Sequence, residues 1–173
     1  MNATLRPTEP RDLPAITAIY GHHVRTGLAS FETEAPDEAE MRRRYDSVHA
    51  KGFPYLTAEV DGRVVGYAYA NLYRERPAYR FTLEDSLYVH PDFTGQGLGR
   101  LLLTQLIADC EKTGCRQLIA VIGDSGNAPS IGIHSALGFA MVGTFRSVGW
   151  KHERWVDTVH MQRAIGAGGS RVP

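Results

Sequence analysis

Between Thr94 and Arg100 the chain reads TGQGLGR, with Gly95, Gly97 and Gly99 at alternate positions and a leucine-rich run directly behind them. Glycine lacks a Cβ, so the backbone there can turn left-handed and a ligand can approach the main chain closely. A helix opening at Leu98 would offer unpaired N–H groups and a partial positive charge to that loop. This is the chemistry of an anion site, above all a phosphate site. The spacing is not that of a nucleotide P-loop, since no Gly-Lys-Ser/Thr follows. Nor is it a dinucleotide fingerprint, because Arg100 stands where that motif needs its last glycine. A tight strand-to-helix turn would use the same glycines.

Other side chains carry acid–base chemistry. RFTLEDSLYV holds two adjacent carboxylates, Glu84 and Asp85. Either can take a proton directly or through one water, and either also suits a solvent-facing strand position. Alternation along a strand sends them to opposite faces, unless a bulge intervenes. His134, in GIHSALGF, is a competent proton donor near neutrality or a space-filler beside Phe139. Asn127 reads as a helix N-cap. Cys110 and Cys115 have no activating pattern around them. His22 and His23 are adjacent on a helix and point different ways, so no metal site is expected there.

The elements that must position these groups follow from periodicity. TLRPTE is a short strand. Asp12 opens a helix through LPAITAIYGHHVRTG, with Leu13, Ile16, Ile19 and Tyr20 at helical spacing. FETEAP is a loop, and Asp37 caps a charged helix, EAEMRRRYDSVHA. PYLTAEV and RVVGYAYANLY form a hairpin through Asp61-Gly62. FTLEDSLYVHP is a long strand on which Phe81, Leu83, Leu87 and Val89 can share a face. LGRLLLTQLIADCEK is a helix and RQLIAVIG a buried strand. Asn127 to Leu137 is a short helix, and GFAMVGTF and WVDTVHMQR are a closing strand pair. The order β α α β β β α β α β β predicts a mixed sheet with helices on both faces. Residues 1–164 form one domain, and the Gly-rich residues 165–173 read as a flexible tail.

Composition narrows the class. The chain has 173 residues, 43% hydrophobic and 22% charged, with a formal net charge of zero. That length supports one domain with a real core. The charge balance argues against a broad nucleic-acid surface. No apolar run reaches membrane-spanning length, and MNATLRPTEPRDL lacks a secretory pattern. Two cysteines do not make a disulfide framework, so a reduced, cytoplasmic protein is expected.

The sequence of strand, glycine loop, leucine-rich helix and strand, then Asn127, Ser130, His134 and Gly138-Phe139, resembles the GCN5-related N-acetyltransferase (GNAT) superfamily. That superfamily's loop, Arg/Gln-x-x-Gly-x-Gly/Ala, wraps the pyrophosphate of acetyl-coenzyme A. Thr94 stands in place of the Arg/Gln, while both required glycines match. FETEAP, RPAYRFTLEDSLYVHP, AVIGDSGNAPSIGIHSALGF and VGWKHERWVDTVHMQ narrow the resemblance to the phosphinothricin N-acetyltransferase group, from about Leu5 to Gln162. The resemblance implies the GNAT fold, an α/β (α+β) architecture with a mixed, mostly antiparallel sheet of about seven strands. It implies acetyl-coenzyme A as cosubstrate, no metal, a homodimer, and acceptors such as phosphinothricin, methionine sulfone and methionine sulfoximine.

By the same resemblance, Glu84 is the general base and His134 the acid near the coenzyme A sulfur. Leu87, Tyr88 and Val89, on a strand that bulges and splays, together with Thr94, Gly95, Gln96, Gly97, Leu98, Gly99, Arg100, Asn127 and Ser130, bind the cofactor. Phe31, Arg74, Arg76, Tyr79 and Lys151 line the acceptor side, with Arg80, His152 and Trp155 near them. An acceptor with a carboxylate wants such cationic partners, although the arginines also suit solvated loop positions. Two other readings remain open: transfer to a peptide, polyamine or aminoglycoside amine, and a non-catalytic acetyl-coenzyme A-binding module.

Overall fold

The computed structural model describes residues 2–173. Seven strands form one sheet: β1 (Thr4–Pro7), β2 (Tyr55–Val60), β3 (Arg63–Leu72), β4 (Thr82–Val89), β5 (Gln117–Gly123), β6 (Ala140–Lys151) and β7 (Arg154–Ala164). Their spatial order is β1-β2-β3-β4-β5-β7-β6. Every pairing is antiparallel except β4 with β5. Four helices complete the fold: α1 (Leu13–Thr26), α2 (Glu38–Ala50), α3 (Leu98–Lys112) and α4 (Ala128–Ala136).

Local chemistry explains most of the boundaries. Asp61 and Gly62 both have positive φ, 49° and 76°, the twist that suits a two-residue hairpin. The Asp37 carboxylate accepts from the Glu40 N–H and starts α2. Gly138, at φ 85°, ends α4, and the Phe139 N–H returns to the His134 carbonyl, a left-handed cap open to glycine. Asp12 precedes α1 without capping it by its side chain; its carboxylate is taken by Arg6 at 2.7 Å.

The two sheet faces carry separate cores. Leu98, Leu102, Leu103, Leu106, Ile107 and Cys110 of α3 pack on one face with Leu83 and Leu118. Leu13, Ile16, Tyr20 and Val24 of α1 cover the other, with Met41, Tyr45 and Val48 of α2 and Tyr55 and Tyr67 of the sheet. Each set recurs at helical spacing, which is why one stripe of each helix is buried.

Three expectations need correction. The closing hairpin is longer than GFAMVGTF suggests: β6 continues to Lys151 and turns through His152 and Glu153, both at positive φ. The segment expected to be a flexible tail from residue 165 starts out packed: Ile165 is buried among the α3-side core residues and Gly168 is buried as well. The bulge expected in β4 is absent: β3 pairs with β4 without a break from Gly66–Val89 to Leu72–Leu83. The register shift lies one strand away, where Val65 is extra opposite the Ala58/Glu59 step.

Candidate active site

The sheet forks between β4 and β5. Their parallel ladder joins Thr82–Asp85 to Gln117–Ala120 and stops, while β5 stays paired with β7 through Gly123. Beyond Asp85, the β4 edge therefore has no strand partner. Alternation decides which backbone groups it presents. The Thr82 carbonyl and the His90 N–H both bond to the β3 side. Even-numbered residues of β4 thus turn their backbone groups to β3, and odd-numbered ones turn theirs to the fork. The Leu87 and Val89 N–H groups and the Leu87 carbonyl face the fork; His23 Nε2 holds the Val89 carbonyl at 2.8 Å. The Tyr88 backbone faces away, so Tyr88 contributes its ring.

Side chains split the other way. Glu84, Ser86 and Tyr88 line a cavity of about 520 Å³ with Tyr20, Phe31, Glu32, Tyr69 and Thr158. Glu84 takes no hydrogen bond from the described residues. Burial pushes its pKa from 4.5 up to about 7; the neighbouring Asp85 charge adds to this and Arg74 opposes it. A carboxyl poised there changes protonation in the range where a general base is most useful.

Asp85 lies on the opposite face and meets His134. A narrow cavity of about 60 Å³ runs beside them, lined by Ser86, Leu87, Tyr88, Asn127 and Ser130. Asp85 Oδ2 sits 2.9 Å from His134 Nε2, and His134 Nδ1 is 2.7 Å from the Ser130 carbonyl. Both side chains are nearly inaccessible, at 2% and 3%. Burial by itself would lower the histidine pKa, but the Asp85 hydrogen bond and charge reverse it and raise it. Asn127 caps α4, accepting from the Ser130 N–H.

The glycine loop stands at the head of α3. Gly95 and Gly97 have φ of 71° and 84°, and the space where a Cβ would sit is open at both. Gly99 differs: a Cβ there would press on Ile133 at 3.3 Å and meet Leu87 at 3.6 Å, so its smallness serves helix packing. The Thr94 hydroxyl donates to the Pro91 carbonyl and the Gln96 amide to the Asp92 carbonyl. Arg100 is exposed and Leu98 buried. An open backbone cradle at a helix N-terminus fits a pyrophosphate.

The acceptor-side residues divide. Phe31 lines the large cavity. Arg74 is exposed at the start of the β3–β4 connection, over the Tyr73 ring, and does not line the cavity wall, although its charge is felt at Glu84. Arg76, Tyr79 and Arg80 are exposed on the β3–β4 connection and do not line the cavity wall. Lys151 is buried, and its ammonium donates to the Ser30 carbonyl at 2.6 Å, fastening the α1–α2 loop. His152 and Trp155 lie on the outer hairpin, with Trp155 60% exposed. Tyr69, Glu32, Ser86 and Thr158 are wall residues that periodicity did not single out. They come together from three strands and a loop, which no local pattern reports.

With that geometry stands a match to the acetyltransferase (GNAT) family model over residues 16–139. The chain belongs to this family. Among individual relatives it is similar to the phosphinothricin N-acetyltransferase of Alcaligenes faecalis, 59% identical over 98% of this chain and 86% of that one. It is 38% identical to the L-methionine sulfoximine/L-methionine sulfone acetyltransferase of Salmonella typhimurium, over 92% of each. A phosphinothricin acetyltransferase structure from Sinorhizobium meliloti, solved with AcCoA, superposes with a TM-score of 0.97 at 45% identity, covering 100% of this chain and 94% of that one.

Proposed function

We propose that the protein transfers the acetyl group of acetyl-coenzyme A to the amino group of a small amino acid such as phosphinothricin, methionine sulfone or methionine sulfoximine. The observation that carries this reading is the Glu84 carboxyl, without a protein partner and poised near neutrality, in a cavity beside the forked strands. The names of the relatives point to the same acceptors.

Acetyl-coenzyme A supplies a thioester, an acyl group activated toward amines. Gly95 and Gly97 leave main-chain N–H groups open to its pyrophosphate, and the α3 N-terminus adds a positive field. Leu87 and Val89 offer unpaired N–H groups along the fork, suited to the pantetheine arm and the acetyl oxygen. Glu84, as carboxylate, removes the ammonium proton and frees the nitrogen lone pair. Arg74, whose charge is felt at Glu84, is the cation assigned to the acceptor's carboxylate, which it would meet from outside the cavity wall. His134 supplies the proton that the sulfur needs on leaving. Holding both reactants on one forked strand contributes several kcal/mol, up to about 7–11.

The protein works as a homodimer in a reducing compartment. Met141, Val142, Phe145, Val148, Trp150 and Trp155 are each more than half exposed on the β6–β7 hairpin, an apolar patch at the sheet edge that a second copy would cover. Both cysteines are free and buried. Among the described residues no helix is long and apolar enough to cross a membrane.

Incubation with acetyl-coenzyme A and a panel of phosphinothricin, methionine sulfone, methionine sulfoximine, common amino acids, spermidine and a short peptide tests the reading. Acetylation confined to the small amino acids, by product mass and thiol release, is expected. Activity on spermidine or peptide alone overturns the acceptor, and cofactor binding without turnover overturns the enzyme.

A further inference from the structure

Phe31, the aromatic wall of the large cavity, rests against Gly149 of β6. A Cβ on that glycine would come within 2.2 Å of the ring. Two residues further on, the Lys151 ammonium donates to the Ser30 carbonyl at 2.6 Å. Gly149 and Lys151 share one face of the strand, so alternate residues of β6 hold two successive residues of the α1–α2 loop. The register that brings them there is irregular. Phe145 stands opposite Thr158 and Gly149 opposite Val156, which leaves Arg146, Ser147 and Val148 facing Asp157 alone. An unbroken ladder from the Phe145 pair would set Ser147 opposite Val156 instead, with a side chain where the Phe31 ring lies. The bulge is what delivers the glycine.

One side chain holds that bulge. Asp157 Oδ1 accepts from the Ser147 N–H at 2.8 Å. Ser147 has a φ of 53°, a left-handed conformation that a serine keeps only where its surroundings secure it. Asp157 Oδ2 accepts from the Ser125 hydroxyl at 2.8 Å, and the Asp157 carbonyl accepts from the Asp124 N–H at 3.0 Å. The Ser147 N–H, ahead of the Ser125 hydroxyl, holds the Asp157 carboxyl below its usual range, so it is ionised at neutral pH. Its neighbour Thr158 lines the large cavity.

We propose that Asp157 is a positioning residue for the acceptor: by pinning the β6 bulge it sets Gly149 beneath Phe31 and so fixes the wall against which the acceptor rests. The inference rests on the acetyl-transfer reading above and adds a residue that acts through Phe31. The two carboxylate oxygens serve different segments. Oδ1 secures the bulge and, through it, the acceptor wall. Oδ2 secures the β5–α4 loop that leads to Asn127. Asparagine can keep both bonds, its amide oxygen accepting from the Ser147 N–H and its NH2 donating to the Ser125 oxygen. Alanine keeps neither.

The test combines kinetics with amide hydrogen exchange by NMR, on the wild-type protein, Asp157→Ala, Asp157→Asn, Ser125→Ala, Phe31→Ala and the Phe31→Ala/Asp157→Ala double variant. Acceptor KM of Asp157→Ala should rise about tenfold, while Asp157→Asn stays within about twofold of the wild type. Any change in KM for acetyl-coenzyme A should be matched by Ser125→Ala, which leaves acceptor KM alone. In the Phe31→Ala background, Asp157→Ala should raise acceptor KM no further. The Ser147 amide should exchange slowly in the wild type and in Asp157→Asn, and fast in Asp157→Ala. An Asp157→Asn as impaired as Asp157→Ala, a loss that multiplies with Phe31→Ala, or an unprotected Ser147 amide in the wild type overturns the proposal. The wild-type exchange and the Asp157→Asn kinetics decide even where Asp157→Ala does not fold. Should the wild type acetylate none of the amines, the functional reading falls and the acceptor role falls with it, while the exchange data still decide whether Asp157 holds the bulge.

Discussion

Glu84 and Asp85 are sequence neighbours whose carboxyls lie on opposite faces of β4: one lines the large open cavity, the other bonds to His134 across the buried side. Strand alternation alone produces the division. Glu84 has no protein partner, and burial, with the Asp85 charge adding to it, moves its pKa up to about 7.

Replacing Glu84 with Gln keeps the shape and removes the proposed base. Turnover is expected to fall about 10²- to 10⁴-fold, with acetyl-coenzyme A affinity by calorimetry unchanged. Weakened cofactor binding with modest loss of turnover would mark Glu84 as structural.

The same variant should be more stable, and only in one pH range. The folded-state pKa of Glu84 lies above its ordinary 4.5, so ionising it costs more in the folded protein than in the unfolded chain. That penalty grows as pH rises from about 4.5 to 7 and is complete above it. Gln carries no such penalty. Thermal scans should therefore show Glu84→Gln melting near the wild type at pH 5 and above it at pH 8, by roughly 2–4 °C for each kcal/mol relieved. A constant difference across that range would contradict the assigned burial.

The loop glycines should separate by role. Gly97→Val forces a β-branched residue to φ 84°, where such side chains are strained, and fills the cradle; acetyl-coenzyme A binding should be lost while the fold survives. Gly99→Ala instead presses on Ile133. It should lower the melting temperature by a few degrees, on the order of 1 kcal/mol, and keep most of the affinity. Equal effects in the two would sink the division.

Phe31 offers a test of the acceptor wall from a distance. A Cβ at Gly149 would collide with the Phe31 ring, so Gly149→Ala must displace that wall. Its acceptor KM should rise several-fold while KM for acetyl-coenzyme A stays fixed; the reverse pattern would place Phe31 outside the acceptor site.

How far the sequence could be read depended on the range of the interactions. Asp61-Gly62, Asp37 and the bounds of α3 are set by a few neighbouring residues, and local pattern found them. The glycine loop was legible because backbone conformation leaves a trace in residue type. The fork was expected only through the family resemblance, since it arises where β4 and β5 stop pairing and no residue marks that point. Lys151 has the right charge for an acceptor ligand, yet it is spent on the Ser30 carbonyl, 121 residues away. Asp85 showed only as a rival to Glu84, because its partner His134 comes from a different element.

The most direct test of the account is kcat/KM for phosphinothricin acetylation against pH, in the wild type and in Glu84→Gln. The account predicts a wild-type rate that rises through an ionisation near 7 and a residual Glu84→Gln rate that lacks this limb. A Glu84→Gln profile superimposable on the wild type would contradict it.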